Sequence, residues 1–511
     1  MKKITEYHFY AEIIRDFQWN MVWNMFDGNK DKLNISHECL DRHVNKGIGA
    51  RLKFADGHIE KYTFRELSEL TSCFANYLAS QGVEPGDRVC VMLEPSLAYY
   101  VCIFGAMKRG AIAVPLFPLF GPDALAQRVN DCKPKVLVLH PEKVSLGKRF
   151  PDIRVFTSKR GFLEDIQRES SSYQPNTKAD DLAIFQYTSG TTREFPDAIK
   201  HTHRAVVTLM LAALFGLGLR EGDRYFCPSS PAWGHGMWHG TISPWSLGIS
   251  AGHYSGKFDP QLLLEALEEF EITNLAAAAT VYRMLIKSNL IDNYKYRIEK
   301  LSFTGEPLDS ASEDFLMKRF GVPVCSMYGT TETGVILASY PGFKDFRVKA
   351  GSLGKPVPGW HVAIIDDQGQ QVPPGRLGEI AVERRGEWFR AKDWGIMDKE
   401  GYFWHKGRAD DVIISAGWTI SAVEVEDALL RHPDVEEAAV IGVPDELRGL
   451  IVKAYLVSPR KDKEFEDEIK EFIKKRLSAH EYPRAIEFVD KLPKTPAGKM
   501  NRKAIRASLG L

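Results

Sequence analysis

Short apolar runs alternate with longer segments of helical spacing through the first part of the chain. Arg88 to Leu93, Ala111 to Leu116 and Val136 to Leu139 are short and almost continuously apolar, which predicts strands buried on both faces. Between them, Ser96 to Arg109 carries its apolar residues at helical spacing behind an N-capping serine, with Gly110 just past its end. Ala124 to Asn130 predicts a shorter helix, and strand–helix alternation resumes from Tyr225 to Val324. Such alternation requires crossover connections, hence a mostly parallel sheet flanked by helices.

After about Ala350 the pattern changes. Val362 to Gly369 reads as a hairpin with a polar turn, and Gly378 to Val382 as its neighbour in a small antiparallel region. From Asp410 onward the pattern predicts a helix (Ser421 to Arg431), strands (Glu437 to Gly442, Ile451 to Val457), a charged helix (Phe465 to Leu477) and a last strand (Ala485 to Val489). The expected fold is therefore α/β. A large N-terminal domain, residues 1–409, holds parallel and mixed sheets with flanking helices plus the small antiparallel region. A small α+β domain, residues 410–511, follows. A length of 511 residues is too great for one core and agrees with this division.

Charge and cysteine content narrow the class. Lys+Arg and Asp+Glu are equal at 67 each, so no net charge draws the chain to nucleic acid or an anionic membrane. Seven cysteines without a C-x-x-C pair argue against a disulfide framework or zinc site and for a reducing compartment. The longest apolar stretch, Val206 to Leu219, is too short to span a bilayer, and Glu6, His8 and Glu12 interrupt any signal-peptide core. The expectation is a cytoplasmic protein without membrane insertion or nucleic-acid partner; a homo-oligomer stays open.

The chemistry starts at Tyr187-Thr188-Ser189-Gly190-Thr191-Thr192, directly after the strand-like Leu182 to Phe185. Hydroxyls and a glycine after a strand can turn O–H and N–H groups toward an anion. The hexapeptide alone is more often an ordinary Ser/Thr-rich loop, and it lacks the G-x-x-x-x-G-K-[ST] pattern of a P-loop. Further strings complete it: Gly305-Glu306-Pro307-Leu308, Tyr328-Gly329-Thr330-Thr331-Glu332, Gly407-Arg408-Ala409-Asp410-Asp411 and Pro496-Ala497-Gly498-Lys499. Together, over nearly the whole chain, they resemble the adenylate-forming superfamily, its acyl-CoA synthetase branch above all.

That resemblance implies roles. Thr188, Ser189, Gly190, Thr191 and Thr192 form the phosphate loop; Arg193-Glu194 and Asp197 depart from the usual pattern, with Arg193 or Lys200 as substitutes for a missing lysine. Gly305, Glu306 and Pro307 line the adenine, Tyr328 stacks on it, and Gly329 and Thr330 continue the site. Thr331 lies near the α-phosphate and Glu332 ligates Mg²⁺, a hard cation that favours oxygen. Asp393 and Arg408 reach the ribose. Asp410 is the hinge about which the small domain moves, and Gly417 and Trp418 face the pantetheine tunnel. Lys499 bridges the carboxylate and α-phosphate as charge develops.

For the acid, Ser229 to Gly236 matches the family's binding segment, and Trp233, Gly234, His235 and Gly329 are the implied pocket. Ala232 and Trp233 stand where amino-acid-activating relatives place an aspartate. Gly329 replaces the tryptophan that shortens an acetate pocket. With Met237, Val206 and Leu209 nearby, the pocket suits an aliphatic or aromatic acid; His235 either contacts it or is a satisfied loop histidine. The implied activity is ATP-dependent ligation of a carboxylic acid to coenzyme A, with ATP, Mg²⁺ and CoA required. Loading of a separate acyl carrier protein, or nucleotide binding without catalysis, are the alternatives.

Overall fold

The computed structural model describes residues 2–187, 198–305, 308, 310–330, 332–408, 413–416, 418–420, 422–478, 480–493, 505–506 and 508–509. They form two compact units. One comprises Met1–Phe117, Pro134–Gln186 and Ile199–Gly407; the other comprises Pro118–Lys133, Tyr187–Ala198 and Arg408–Leu511. The expected boundary residue, Asp410, lies outside the described residues.

In the first unit the alternating pattern folds as the sequence requires. A six-stranded sheet has the order Arg154–Thr157, Val136–Leu139, Arg88–Met92, Ile112–Pro115, Leu182–Tyr187, Ala198–Thr202, and its first five strands run parallel. Val89, Cys90, Val91, Val136, Leu137 and Val138 have no exposed surface, which accounts for the unbroken apolar runs. The helix Leu97–Arg109 crosses between two of these strands. Ser96 Oγ accepts from the Tyr99 N–H (3.3 Å) at its start, and Gly110 closes it with φ +86°, a conformation only glycine adopts cheaply.

A nine-stranded sheet builds the rest of that unit's core. Its order is Lys355–Pro356, Gly334–Ala338, Val324–Thr330, Lys300–Thr304, Asn274–Ala278, Tyr225–Phe226, Ala251–Ser255, Ile48–Phe54, Ile59–Thr63. The six central strands are parallel and the edges antiparallel. The register sets Ala278 beside Thr304 and Phe303 beside Ser326, so the carboxyl ends of neighbouring strands reach one rim. Ligands of open parallel sheets bind at such a rim. The small antiparallel region is also present: Val362–Ile365, Gly378–Arg384 and Glu387–Met397 pair antiparallel, and Phe403–Arg408 completes the sheet.

The second unit carries a five-stranded sheet of Trp418–Ile420, Ile413–Ser415, Gly449–Val457, Glu437–Asp445 and Ala485–Phe488. The charged helix Lys463–Arg476 packs Phe465, Ile469 and Ile473, one per turn, into its core. Asp462 caps that helix by accepting from the Phe465 N–H at 2.8 Å, and Lys474, Lys475 and Arg476 sit at the negative end of its dipole. Among the described residues no helix is long and apolar enough to cross a membrane, and the seven cysteines are all buried and in thiol form.

Candidate active site

The site is assembled at the carboxyl rim of the nine-stranded sheet. Gly305 follows the strand Lys300–Thr304 with φ +96°, which lets the chain turn sharply off the rim. The next strand, Val324–Thr330, ends in Tyr328-Gly329-Thr330 and turns back into Gly334–Ala338. The turn is tight. Thr330 N–H donates to Thr333 Oγ1 at 3.0 Å, and Thr333 Oγ1 donates to the Gly334 carbonyl at 2.9 Å. A bulge between Tyr328 and Gly329 shifts the register here. A Cβ at Gly329 would sit 1.8 Å from the Gly334 carbonyl oxygen, so the backbone itself demands glycine, quite apart from the width of any acid pocket. Glu332 projects exposed from the tip, its carbonyl accepting from Arg384 Nη1 at 3.3 Å.

The bulge aims Tyr328 at Asp393. Its hydroxyl donates to Asp393 Oδ2 at 2.7 Å across two different sheets. Asp393 is only 3 % exposed, and His405 Nε2 lies 3.4 Å from its other oxygen. The sequence singled out Tyr328 and Asp393 separately; the fold brings them together. His405 was missed, since a lone histidine next to Lys406 carries no sequence signal. Arg408 closes the strand Phe403–Arg408. Thr188, Ser189, Gly190, Thr191, Thr192, Glu306, Pro307, Thr331, Asp410, Gly417 and Lys499 lie outside the described residues, as do Arg193 and Asp197. Lys200 Nζ lies 5.3 Å from the Phe185 ring.

The segment that the sequence marks for the acid follows the short rim strand Tyr225–Phe226. Trp233 N–H donates to the Ser230 carbonyl (3.0 Å), and Met237 N–H to the Trp233 carbonyl (2.8 Å). The chain then winds not as a loop but as a π-helix, His235–Ile242. Gly236 makes that start possible: a Cβ there would lie 2.2 Å from the Ser230 carbonyl oxygen. Wide turns of this kind are rare and concentrate at functional sites. Trp238 Nε1 donates to Gln186 Oε1 at 2.9 Å, and the His201 ring packs 4.8 Å from the Trp238 ring. The wide turn also stacks His235 edge-on against His239, with centroids 5.6 Å apart. Burial pushes His201 and His235 down to about 4 and, with the neighbouring His235, His239 to about 3, so all three are neutral at physiological pH. Trp233 is half-buried, whereas Val206, Leu209 and Met237 belong to the hydrophobic core.

In the second unit Trp418 stacks on His480, with centroids 3.8 Å apart and planes 10° from parallel. Burial and the nearby charges of Arg448 and Arg484 push His480 down to about 4. Burial and Arg484 likewise lower Arg448. Arg484 Nη1 donates to the Tyr482 hydroxyl at 2.8 Å. Two cationic side chains thus act on the ring that stacks under Trp418. Sequence reasoning found Trp418 but missed both arginines, which carry no motif in the sequence and whose charges are both felt at His480.

Comparison with known proteins decides the family. Residues 40–387 match the model for "AMP-binding enzyme", and residues 424–499 that for "AMP-binding enzyme C-terminal domain". The chain belongs to the AMP-binding enzyme family. It is 34% identical to the acetyl-coenzyme A synthetase of Bacillus subtilis, over 98% of this chain and 94% of that protein. It is 31% identical to the mitochondrial acyl-coenzyme A synthetase ACSM3 of Rattus norvegicus, over 93% and 90%. The crystal structure of an acyl-CoA synthetase from Brucella canis superposes with a TM-score of 0.74 at 30% identity, covering 99% of both chains. The protein is thus an acyl-CoA-synthetase-like, adenylate-forming enzyme, with the mixed α/β architecture of that family.

Proposed function

We propose that the protein is an AMP-forming acid–CoA ligase acting on a short- or medium-chain aliphatic or an aromatic acid. The acid's carboxylate attacks the α-phosphate of ATP and pyrophosphate leaves; the CoA thiolate then attacks the acyl carbon and AMP leaves. The observation that carries this reading is the Tyr328–Asp393 pair at the sheet rim. An aromatic face beside a buried carboxylate suits a purine and the ribose hydroxyls, the carboxylate accepting from both. The phosphate loop at Thr188 to Thr192 and Gly305, Glu306, Pro307, Gly329, Thr330 and Arg408 complete the nucleotide site in this reading. Trp233, Gly234 and His235 take the acid. Residues 1–409 and 410–511 act as the two domains, turning about Asp410 between the half-reactions.

The exposed carboxylate of Glu332 offers hard oxygen donors that fit one Mg²⁺ shared with the nucleotide's phosphates. The ion supplies charge neutralisation on the phosphates. Thr331 serves the α-phosphate and Lys499 the developing charge.

Asp393→Ala should raise the KM for ATP by about ten- to a hundred-fold, by removing charge-assisted hydrogen bonds of about 1.5–3 kcal/mol. A KM within twofold of wild type would remove Asp393 from the nucleotide site. The basic pair beside Trp418 suits a phosphate of CoA, with Gly417 and Trp418 along its pantetheine arm. Arg448→Ala should therefore raise the KM for CoA by about tenfold while CoA-independent pyrophosphate formation is unchanged. Loss of both would assign Arg448 to the fold rather than to CoA. The activity itself is tested by pyrophosphate release from ATP, with and without CoA, across acetate, butyrate, hexanoate, octanoate, benzoate and cyclohexanecarboxylate. Turnover with CoA on one acid class is expected; measurable ATP binding without release on any acid would overturn the ligase reading for these classes.

A further inference from the structure

Five polar side-chain atoms gather around one turn of the π-helix without a hydrogen-bond partner among the described residues. They are Gln186 Nε2, His201 Nε2, both ring nitrogens of His235, and His239 Nδ1. Trp238 ties the group together: its indole N–H engages Gln186 and its ring packs at a tilt against His201, one turn from the His235–His239 contact. The edge-on contact between the two imidazoles offers at most one weak N–H···π interaction and leaves the other atoms unmet. Folded proteins seldom leave buried polar atoms unpaired, and each concentration of them needs a cause. His235 and His239 are only partly buried as residues, while their unpartnered ring nitrogens are out of contact with bulk solvent.

We propose that these residues read a neutral oxygen on the acyl group, and that the acid ligated is a hydroxy acid rather than a plain hydrocarbon acid. The inference rests on the ligase reading and adds the substrate's polar substituent to it. Each neutral imidazole offers one N–H donor and one lone-pair acceptor, and the Gln186 amide adds N–H donors. A hydroxyl answers both kinds, donating to one ring and accepting from the next. Methylene groups in its place leave all of the atoms unpaired. A second carboxylate or an ammonium would bring a charge among uncharged partners, which is costly away from water. The π-helix has a structural purpose in this reading: its widened turn sets both histidines on the side that carries Trp238 and Gln186.

The test compares matched pairs of acids: butyrate with 4-hydroxybutyrate, hexanoate with 6-hydroxyhexanoate, benzoate with 4-hydroxybenzoate, and cyclohexanecarboxylate with its 4-hydroxy derivative. For each pair, kcat/KM is measured by ATP-dependent pyrophosphate release in the presence of CoA. The hydroxylated member of at least one pair should be preferred by about tenfold or more, because a site built to hydrogen-bond a hydroxyl rejects the analogue lacking it. His239→Phe and, separately, Gln186→Met should reduce that preference to about twofold or less, chiefly by loss of the hydroxy acid. The preference is a ratio within one enzyme preparation, so partial misfolding of either variant cancels. Turnover that favours the plain acid in every pair, or a preference untouched by both variants, overturns the inference and leaves the ligase reading standing. Release with none of the eight acids, despite ATP binding, overturns both.

Discussion

Replacing Lys499 by alanine should lower the rate of acyl-adenylate formation by about a hundred- to a thousand-fold while leaving the second half-reaction nearly intact. As the carboxylate attacks the α-phosphate, negative charge concentrates on the oxygens between the two. A cation placed there in advance stabilises the transition state more than the ground state, and a single such group is worth about 2.7–4 kcal/mol. Thioester formation from an acyl-adenylate already made does not pass through that charge distribution. The measurement is therefore double: pyrophosphate release with acid and ATP, and AMP release from supplied acyl-adenylate and CoA. Loss of the first with retention of the second, within about threefold, assigns the lysine to one half-reaction. Equal loss of both would mean that Lys499 supports the fold or the shared nucleotide site. Lys499→Arg discriminates further: it keeps the charge but not the compact ammonium, and should restore only part of the rate.

The fold was largely legible because its strands are buried on both faces. Val89 to Met92 and Val136 to Leu139 are continuous apolar runs for that reason, and both proved to be neighbouring parallel strands. Ser96 and Gly110 marked a helix by local chemistry alone. Periodicity failed where the backbone departs from regular repeats. Ser229 to Gly236 reads as a loop in the sequence, yet its last two residues open a π-helix, His235–Ile242, which brings His235 and His239 together by a spacing that an α-helical template does not anticipate. The reach from Tyr328 to Asp393 depends on a register shift between Tyr328 and Gly329, a feature of two paired strands that neither strand reveals alone. Gly329 shows how one residue can carry two explanations. Read by resemblance it widens a pocket; in the structure it also lets the Gly334 carbonyl approach closely. The two are compatible, but a substitution there would test the strand before it tested the pocket.

Acidification should unfold the protein well above the range in which carboxylates titrate. Burial, the leading cause in each case, pushes seven histidines far below their ordinary value: His43, His201, His203, His235 and His480 to about 4, and His239 and His253 to about 3. His203 shows why the neutral form is required, since its Nδ1 accepts the Ile35 N–H at 3.0 Å and cannot do so protonated. On unfolding these rings regain a pKa of about 6.5. Between the two values the unfolded chain binds protons that the folded protein refuses, so stability is full above about pH 6.5 and falls as the pH drops toward 4. Each histidine contributes a slope of up to about 1.4 kcal/mol per pH unit. Two or three acting fully over that window would consume much of a typical stability of about 5–15 kcal/mol. His37 opposes the trend: its bond to Asp41 raises its pKa, and that contribution is kept in acid and lost as the pH rises. Its single opposite sign cannot balance seven. Denaturant titrations at fixed ionic strength from pH 7.5 to 4.5 should show stability falling steeply below pH 6.5, and His203→Gln, which keeps an acceptor for Ile35 but cannot titrate, should flatten the curve. A stability unchanged between pH 6.5 and 5 would show that these rings can take up protons in the folded state, and with it the neutrality on which the hydroxyl-reading pair His235 and His239 depends would fail.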